Sequence, residues 1–245
     1  MVYKIRISAR EKQAECSAIL FLSFFIIFLT GICMNLMPLV YAAFQNYIGD
    51  NPIINLAVSV ALLIFSGLIY SALSMGTDRF MLKRAENFAA GAGDIFYYFA
   101  PKKLLSLCGF HLMVNSRKIL ILSFLSIPTL ICAGVFYALC ENGFSAAVCL
   151  IFAVFSLVFL LSEIITFRRI SDTLFMARYV FIKGEYLNKK QLLSLCDESE
   201  IKRLRQLRLS FSGWFLLCLL VFPLPYVWSY YRQSKACFAS RVLNM

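Results

Sequence analysis

Three ionisable residues beside long apolar runs are the strongest candidates for chemistry in this chain: Glu163, Arg232 and Lys235. An ionisable side chain at membrane depth is costly, so it commonly marks an ion pathway or pairs with an opposite charge. Glu163 lies four residues before Phe167, near the end of an apolar run. It predicts either a cation or proton site, or a carboxylate paired with Arg168 or with a basic residue of a neighbouring helix.

The sequence lacks the residue sets that most catalytic and cofactor sites need. Its single histidine, His111, excludes His-based metal clusters and disfavours a Ser-His-Asp triad. There is no C-x-x-C pair and no G-x-x-x-x-G-K-[ST] phosphate loop, and Gly91-Ala92-Gly93 predicts a turn rather than a dinucleotide site. We therefore expect no catalytic residue, no metal ligand and no cofactor, in a protein that is not an enzyme.

The cysteines predict small buried side chains rather than a reactive set. Many of the nine lie inside apolar runs, where cysteine behaves as a small hydrophobic residue. These are Cys33, Cys108, Cys132, Cys149 and Cys218. Cys140 lies close to a predicted outer loop, and the sequence offers it no obvious partner there.

Composition places these residues in a membrane protein. Hydrophobic residues make up 61% of the chain and charged residues only 15%, against roughly half and a quarter in an ordinary globular protein. A soluble fold of this size could not hide so much apolar surface. The net charge of +11 does not indicate nucleic acid, because the basic residues adjoin apolar runs, where they suit anionic lipid headgroups.

The apolar runs predict an all-α fold, a polytopic transmembrane helical bundle that forms a single domain over residues 1–245. A helix needs about 20 apolar residues to cross the hydrocarbon core. Five apolar segments are predicted, followed by a sixth helix that returns: the segments are 17–44, 54–75, 119–139, 146–167 and 209–222, and the return helix is 225–243. Residues 76–118 and 168–208 are predicted to be cytoplasmic or interfacial segments.

Pro223-Leu224-Pro225 leaves two possibilities for the last apolar run. Either one kinked span continues to Tyr231, or the prolines form a turn and the chain comes back. The basic residues Arg232, Lys235 and Arg241 favour the return to the cytoplasm. Arg232 and Lys235 should then face the inside of the bundle, because a lipid-facing charge at depth is costly.

The distribution of lysine and arginine predicts the orientation. Residues 45–52 and 140–145 contain neither, whereas the other segments between apolar runs are rich in both. This is the positive-inside pattern. It predicts a multi-pass cell-membrane protein with a cytoplasmic N-terminus, a cytoplasmic C-terminus, and a first apolar run that is retained as a span rather than cleaved as a signal peptide.

A distinctive motif occupies the C-terminal third of the chain. It consists of a Leu-Ser-Phe-x-Gly-Trp segment, an apolar run, a Pro-Tyr pair and an aromatic-rich last helix. Over about residues 170–243 the chain resembles the bacterial integral membrane family known as domain of unknown function 975, with matches at Leu209, Ser210, Phe211, Gly213, Trp214, Pro225 and Tyr226. The closing Phe-Tyr of that family is not matched, since Cys237-Phe238-Ala239 stands near its place. The resemblance implies a bacterial polytopic membrane protein without an assigned activity or catalytic residues.

Two functions remain open from the sequence. The first is a non-enzymatic membrane accessory or scaffold protein. The alternative is a small transporter or lipid-handling protein, with a polar cavity near the last helix lined by Glu163, Arg232 and Lys235. The expected partner is the lipid bilayer, with anionic headgroups at the cytoplasmic basic segments; nucleic acid is not expected, and the sequence does not identify a protein partner.

Overall fold

A computed structural model describes residues 2–48, 52–184, 198–217 and 223–243 of the chain. In these ranges it consists of helices joined by turns, without a strand, which confirms the predicted all-α class. The helices are α1 Val2–Glu15, α2 Ser17–Ile48, α3 Pro52–Ala85, α4 Pro101–Glu141, α5 Ala146–Thr173, α6 Phe175–Lys183, α7 Glu198–Leu209, α8 Ser212–Leu217 and α9 Leu224–Leu243.

Among the described residues, three helical stretches are long and apolar enough to cross a membrane: Ile53–Ala85, Pro101–Glu141 and Ala146–Lys183. A fourth is possible if Val2–Glu15 and Ser17–Cys33, which meet at 89°, form one bent span. These stretches contain three of the predicted segments and part of a fourth. The five predicted segments are therefore not all confirmed as spans.

The predicted segment 209–222 is described only in part. Its described residues are Leu209, which ends α7, a turn at residues 210–211, and α8, Ser212–Leu217. The turn shows that α7 and the apolar run do not form one continuous helix, which hydropathy alone does not predict. Residues 218–222 lie outside the described part of the chain.

The chain reverses direction between α8 and α9. The rings of Phe211 and Tyr230 are 4.9 Å apart, whereas one continuous helix would separate them by about 28 Å. The return helix predicted at 225–243 is present as α9, Leu224–Leu243. Pro225 lies in its first turn, where a missing backbone N–H costs little.

Several helices continue beyond the apolar runs into the segments predicted as polar. Helix α3 extends to Ala85 and α5 to Thr173, and α6 follows almost at once. Lys, Arg, Met and Leu in these extensions favour helix, so the backbone hydrogen bonds continue where hydropathy falls. The sequence also favours Asp197 as the cap of the next helix, with Ile201, Leu204 and Leu207 near one another on that helix. Asp197 lies outside the described residues; in the helix itself, α7, Leu204 and Leu207 are buried and Ile201 is half-buried.

The described residues form two compact units. Unit 1 contains residues 2–48, 52–108, 178–184, 198–217 and 223–243, and unit 2 contains residues 109–177. In unit 1, α9 packs against α1, α2 and α3. Helix α1 buries Ile5, Ala9 and Gln13, whose spacing of four puts them on one face, and Gln13 Nε2 donates to Tyr226 O at 3.2 Å.

The connection after α3 folds back onto that helix. It contains two short 3₁₀ turns, Ala92–Asp94 and Tyr97–Phe99. The backbone of Ile95 lies directly on Gly76, where an added Cβ would be 1.8 Å from Ile95 O. Glycine is therefore required at position 76 by close approach, because any side chain would overlap the backbone.

Asp94 fixes the same connection by charge. Its Oδ1 accepts hydrogen bonds from Lys83 Nζ at 2.7 Å and Arg79 Nε at 3.2 Å. Burial raises the pKa of Asp94, but the hydrogen bonds from Lys83, the Gly91 N–H and Arg79 outweigh it, so the pKa lies below its usual value. The carboxylate thus ties the turn to the last part of α3.

Unit 2 is a helical hairpin built from the main part of α4 and from α5. The helices are joined by a short turn after Glu141, and Gly143 adopts a φ of +71°. Phe144 N donates to Leu139 O at 3.1 Å, which closes the end of α4 in the manner of a glycine-centred C-cap. The short connection makes α4 and α5 antiparallel neighbours.

Candidate functional site

A buried carboxylate, Asp78, lies near the end of α3 and is 3% exposed. Ser74 precedes it by one helical turn and shares its face. An ionised group in such a position is tolerated only when it is paired and hydrogen-bonded. The partners of Asp78 therefore define the site.

Two arginines from different helices bind Asp78. Arg178 of α6 lies with Nε 2.5 Å from Asp78 Oδ2; this N–H is poorly aligned with the carboxylate, so the contact is chiefly ionic. Arg178 Nη2 donates to Ser74 Oγ at 2.7 Å. Arg232 of α9 donates from Nε to Asp78 Oδ1 at 2.9 Å, and from Nη2 to the same oxygen and to Ser74 O. We call these four residues the Asp78 cluster.

Lys235 lies close to this cluster on α9. Its Nζ is 4.3 Å from the centroid of the Tyr231 ring, a cation–π arrangement. The pKa of Lys235 is lowered to about 8, chiefly by burial. The carboxylate of Asp78 raises this pKa, whereas the neighbouring cations Arg232, Arg208 and Arg178 lower it further. Positive charge thus exceeds negative charge around Asp78.

The geometry of the Asp78 cluster favours a structural role. Both guanidinium groups engage the same carboxylate and the same serine, and so join α3, α6 and α9 at one place. Charge-assisted contacts to a planar guanidinium fix orientation as well as distance. Within the described ranges no group of three or more His, Cys, Asp or Glu side chains could hold a metal ion.

Glu163 lies in the other unit. Thr129 Oγ1 of α4 donates to Glu163 Oε2 of α5 at 3.4 Å, which is a hydrogen bond between the two helices of unit 2. The contact shown for the carboxylate is this hydroxyl, and not the predicted pairing with Arg168. His111 lies at the start of unit 2, with its ring 5.6 Å from that of Phe110.

The motif positions form an aromatic cluster where α8 meets α9. Phe211 is fully buried and lies against Tyr230 and Tyr231. The Trp214 ring lies near Tyr226 and Tyr230, with centroids 6.3 Å apart in both pairs. Pro225 is buried at the start of α9. These positions stabilise the reversal of the chain.

Arg6 of α1 covers this aromatic cluster. Its guanidinium carbon is 5.1 Å from the Phe211 ring centroid and 5.8 Å from that of Tyr230. Arg6 Nη1 donates to the backbone oxygen of Ser210 at 3.4 Å. Two motif positions contribute less, since Leu209 is 70% exposed and nothing lies within 4 Å of a Cβ built on Gly213.

The structure brings Arg232 and Lys235 together, and it adds two residues that sequence reasoning missed, Asp78 and Arg178. A signal existed for each. Ser74 and Asp78 are polar at a spacing of four at the end of an apolar run, and Arg178 is flanked by apolar and aromatic residues in α6, whose other charge is the terminal Lys183. Asp78 and Arg178 lie in segments predicted to be cytoplasmic or interfacial, and hydropathy does not show that two such segments bury these side chains together.

No protein-family model, no curated protein and no solved structure matches this chain. Several of its helices are long and apolar enough to cross a membrane. The evidence for the class of protein therefore comes from the helices and from the Asp78 cluster.

Proposed function

We propose that this chain is a non-enzymatic integral membrane protein that acts as an accessory or scaffold subunit in a bacterial cell membrane. The observation that supports this most is the Asp78 cluster, in which one carboxylate binds Arg178 and Arg232 from two other helices. A cluster of this kind stabilises a fixed arrangement of helices, which is what a scaffold requires. The resemblance to domain of unknown function 975 is part of the same proposal.

The proposed orientation follows the charge pattern of the connections. Residues 140–145, which carry no lysine or arginine, lie outside the cell, and both termini lie in the cytoplasm. The basic residues at the cytoplasmic ends of the helices attract anionic lipid headgroups, each by about 1 kcal/mol. Arg168 and Arg169 are such residues on α5.

The test is recovery of a partner from the membrane. Crosslinking in native membranes, followed by purification in a mild detergent, should yield the chain with one other membrane protein in a fixed ratio. A denatured sample and an unrelated multi-pass protein expressed at the same level serve as controls. Recovery of the chain alone would contradict an accessory role.

The transporter or lipid-handling alternative makes a different prediction. It requires Glu163, Arg232 and Lys235 to contact a solute or headgroup, whereas Arg232 is bound to Asp78 and Glu163 to Thr129. In liposomes of defined composition, Glu163→Gln and Lys235→Gln should leave solute flux and lipid exchange at the wild-type level. A specific loss of either activity in a folded variant would favour the alternative.

A further inference from the structure

Two cysteines face each other across the turn of the unit 2 hairpin. Cys140 lies in the last turn of α4 and Cys149 in the first turn of α5. The backbone between them is closed tightly: Gly143 N donates to Cys140 O at 3.3 Å, and Cys149 N donates to Ser145 O at 3.2 Å. Because α4 and α5 are antiparallel here, the two residues lie at the same level of the hairpin.

The two thiols are close enough to interact. The thiol of Cys149 is the side chain that interacts with Cys140, and Cys149 Sγ lies 3.9 Å from Phe144 O in the turn between them. Cys140 is exposed and Cys149 is half-buried, so one thiol of the pair is accessible to a reagent. Disulfide formation requires side chains that approach each other closely, and the turn closed by the backbone hydrogen bonds of Gly143 and Phe144 brings the two helix ends together.

We propose that Cys140 and Cys149 are a disulfide-forming pair that closes the α4–α5 hairpin. A thiolate of one cysteine attacks the disulfide of an envelope thiol–disulfide oxidoreductase, and the second cysteine then displaces that enzyme. One S–S bond forms, both thiols lose their protons, and the two electrons reduce the oxidoreductase to its dithiol. In the cell this step rests on the proposed function, because it requires residues 140–145 to lie in the oxidising compartment outside the membrane.

The chain provides a matched control for this pair. Cys132 also lies on α4, eight residues before Cys140, which corresponds to about 12 Å along a helix. A thiol at that distance cannot reach Cys149 without moving the backbone. Cys140 and Cys132 therefore lie on the same helix and differ in their distance from the turn that leads to Cys149.

The experiment uses two full-length variants in which seven cysteines are replaced by alanine, one retaining Cys140 with Cys149 and the other Cys132 with Cys149. Cells are quenched with N-ethylmaleimide, and the protein is then reduced and labelled with a polyethylene-glycol maleimide. We expect a two-label gel shift only for the Cys140 variant and only after reduction. The control should show no shift, since its thiols are already blocked.

A second arm treats isolated membranes with copper phenanthroline, which oxidises neighbouring thiols directly. If the Cys140 variant stays reduced under this oxidant, or closes no more than the control, the proposed pair is wrong. If this variant forms the disulfide with the oxidant but is reduced in cells, the proposal that Cys140 and Cys149 can pair is supported. The outward placement of residues 140–145 in the proposed function is then wrong.

Discussion

The carboxylate of Asp78 accepts hydrogen bonds from Arg232 and forms an ion pair with Arg178, which lies on a different helix. Asp78→Asn keeps the shape of the side chain but removes the charge, so Arg178 and Arg232 remain partly buried without their acid. Breaking a buried pair by removing one partner costs about 3–5 kcal/mol. We expect the lower end of that range, because the Arg178 side chain is 33% exposed. The apparent Tm in detergent should fall clearly.

The matched control for Asp78→Asn is Glu11→Gln, the same chemical change on α1. Glu11 is exposed, and substitutions at such positions usually change stability by less than about 0.5 kcal/mol. Equal Tm values for Asp78→Asn and Glu11→Gln would contradict the structural role of the Asp78 cluster.

Lys235 makes stability depend on pH. Its pKa in the fold is about 8, below the value near 10.4 of an exposed lysine, so the unfolded chain holds this proton more tightly. Stability should therefore rise between about pH 8 and pH 10.5 as the folded protein releases the proton. Below pH 8 the cost of burying the ammonium is present in full.

Lys235→Met tests this dependence. At pH 7 the variant should gain about 1 kcal/mol or more in the free energy of unfolding, since each pKa unit corresponds to about 1.4 kcal/mol. The gain should shrink at pH 9.5, where the wild-type side chain is largely neutral in the fold. A difference in Tm that is the same at both pH values would show that packing alone explains the effect.

Phe211 tests whether the motif positions are structural. Phe211→Ala removes a fully buried ring from between Tyr230 and Arg6, which should cost about 3–5 kcal/mol. Leu209→Ala, at a motif position that is 70% exposed, should change the Tm little. The comparison is a thermal unfolding curve for each purified variant, and similar losses at both positions would count against the aromatic cluster.

Which residues the sequence could identify depended on their surroundings in the chain. Arg232 and Lys235 are conspicuous because they lie in a helix that is otherwise largely apolar and aromatic. Asp78 and Arg178 are less conspicuous, because both lie beyond the apolar runs in segments that carry many other charged residues. The contact of Thr129 with Glu163 depends on how α4 and α5 align, and no property of either helix alone determines that alignment.

At the level of the helices, the packing of the connection after α3 can be tested where the Ile95 backbone lies on Gly76. Gly76→Ala would place Cβ 1.8 Å from Ile95 O, and relieving such an overlap commonly costs about 1–3 kcal/mol. Gly67→Ala is the matched control on the same helix, since nothing lies within 4 Å of its Cβ position. That variant should be neutral or gain up to about 1 kcal/mol from helix propensity.

The two glycine variants can be compared by size-exclusion chromatography in detergent and by thermal unfolding. Gly76→Ala should broaden the elution peak and lower the Tm, whereas Gly67→Ala should do neither. If the two variants behave alike, the turn between α3 and α4 does not pack on Gly76 as described.

The elements themselves were predictable where the apolar pattern was long, as for α3, α4 and α5. Their ends were not, because helical hydrogen bonding continues through polar residues that favour helix. The packing of Phe211, in the turn before α8, was also not predictable, because an aromatic residue in an apolar run indicates a position in the membrane although this ring packs against α9. Hydropathy measures preference for apolar surroundings and does not distinguish lipid from a protein core.

For the molecule as a whole, orientation in the membrane can be tested with single cysteines in a cysteine-free chain. Asn142→Cys, in the turn of unit 2, should react in intact cells with a thiol reagent that cannot cross membranes. Lys102→Cys, at the exposed start of α4, should react only after the cells are permeabilised. Reaction of Lys102→Cys in intact cells would reverse the proposed orientation.

The packing of α1 on α9 also has a consequence for biosynthesis. Arg6 and Tyr230 are in contact although 224 positions separate them. The buried face of α1 therefore leaves the ribosome long before the helix that covers it, and unit 1 can close only after α9 has been translated. Until then the apolar side of α1 lacks the helix that covers it, so ribosome-bound chains halted before residue 224 should expose Ile5 and Ala9 to proteolysis or crosslinking.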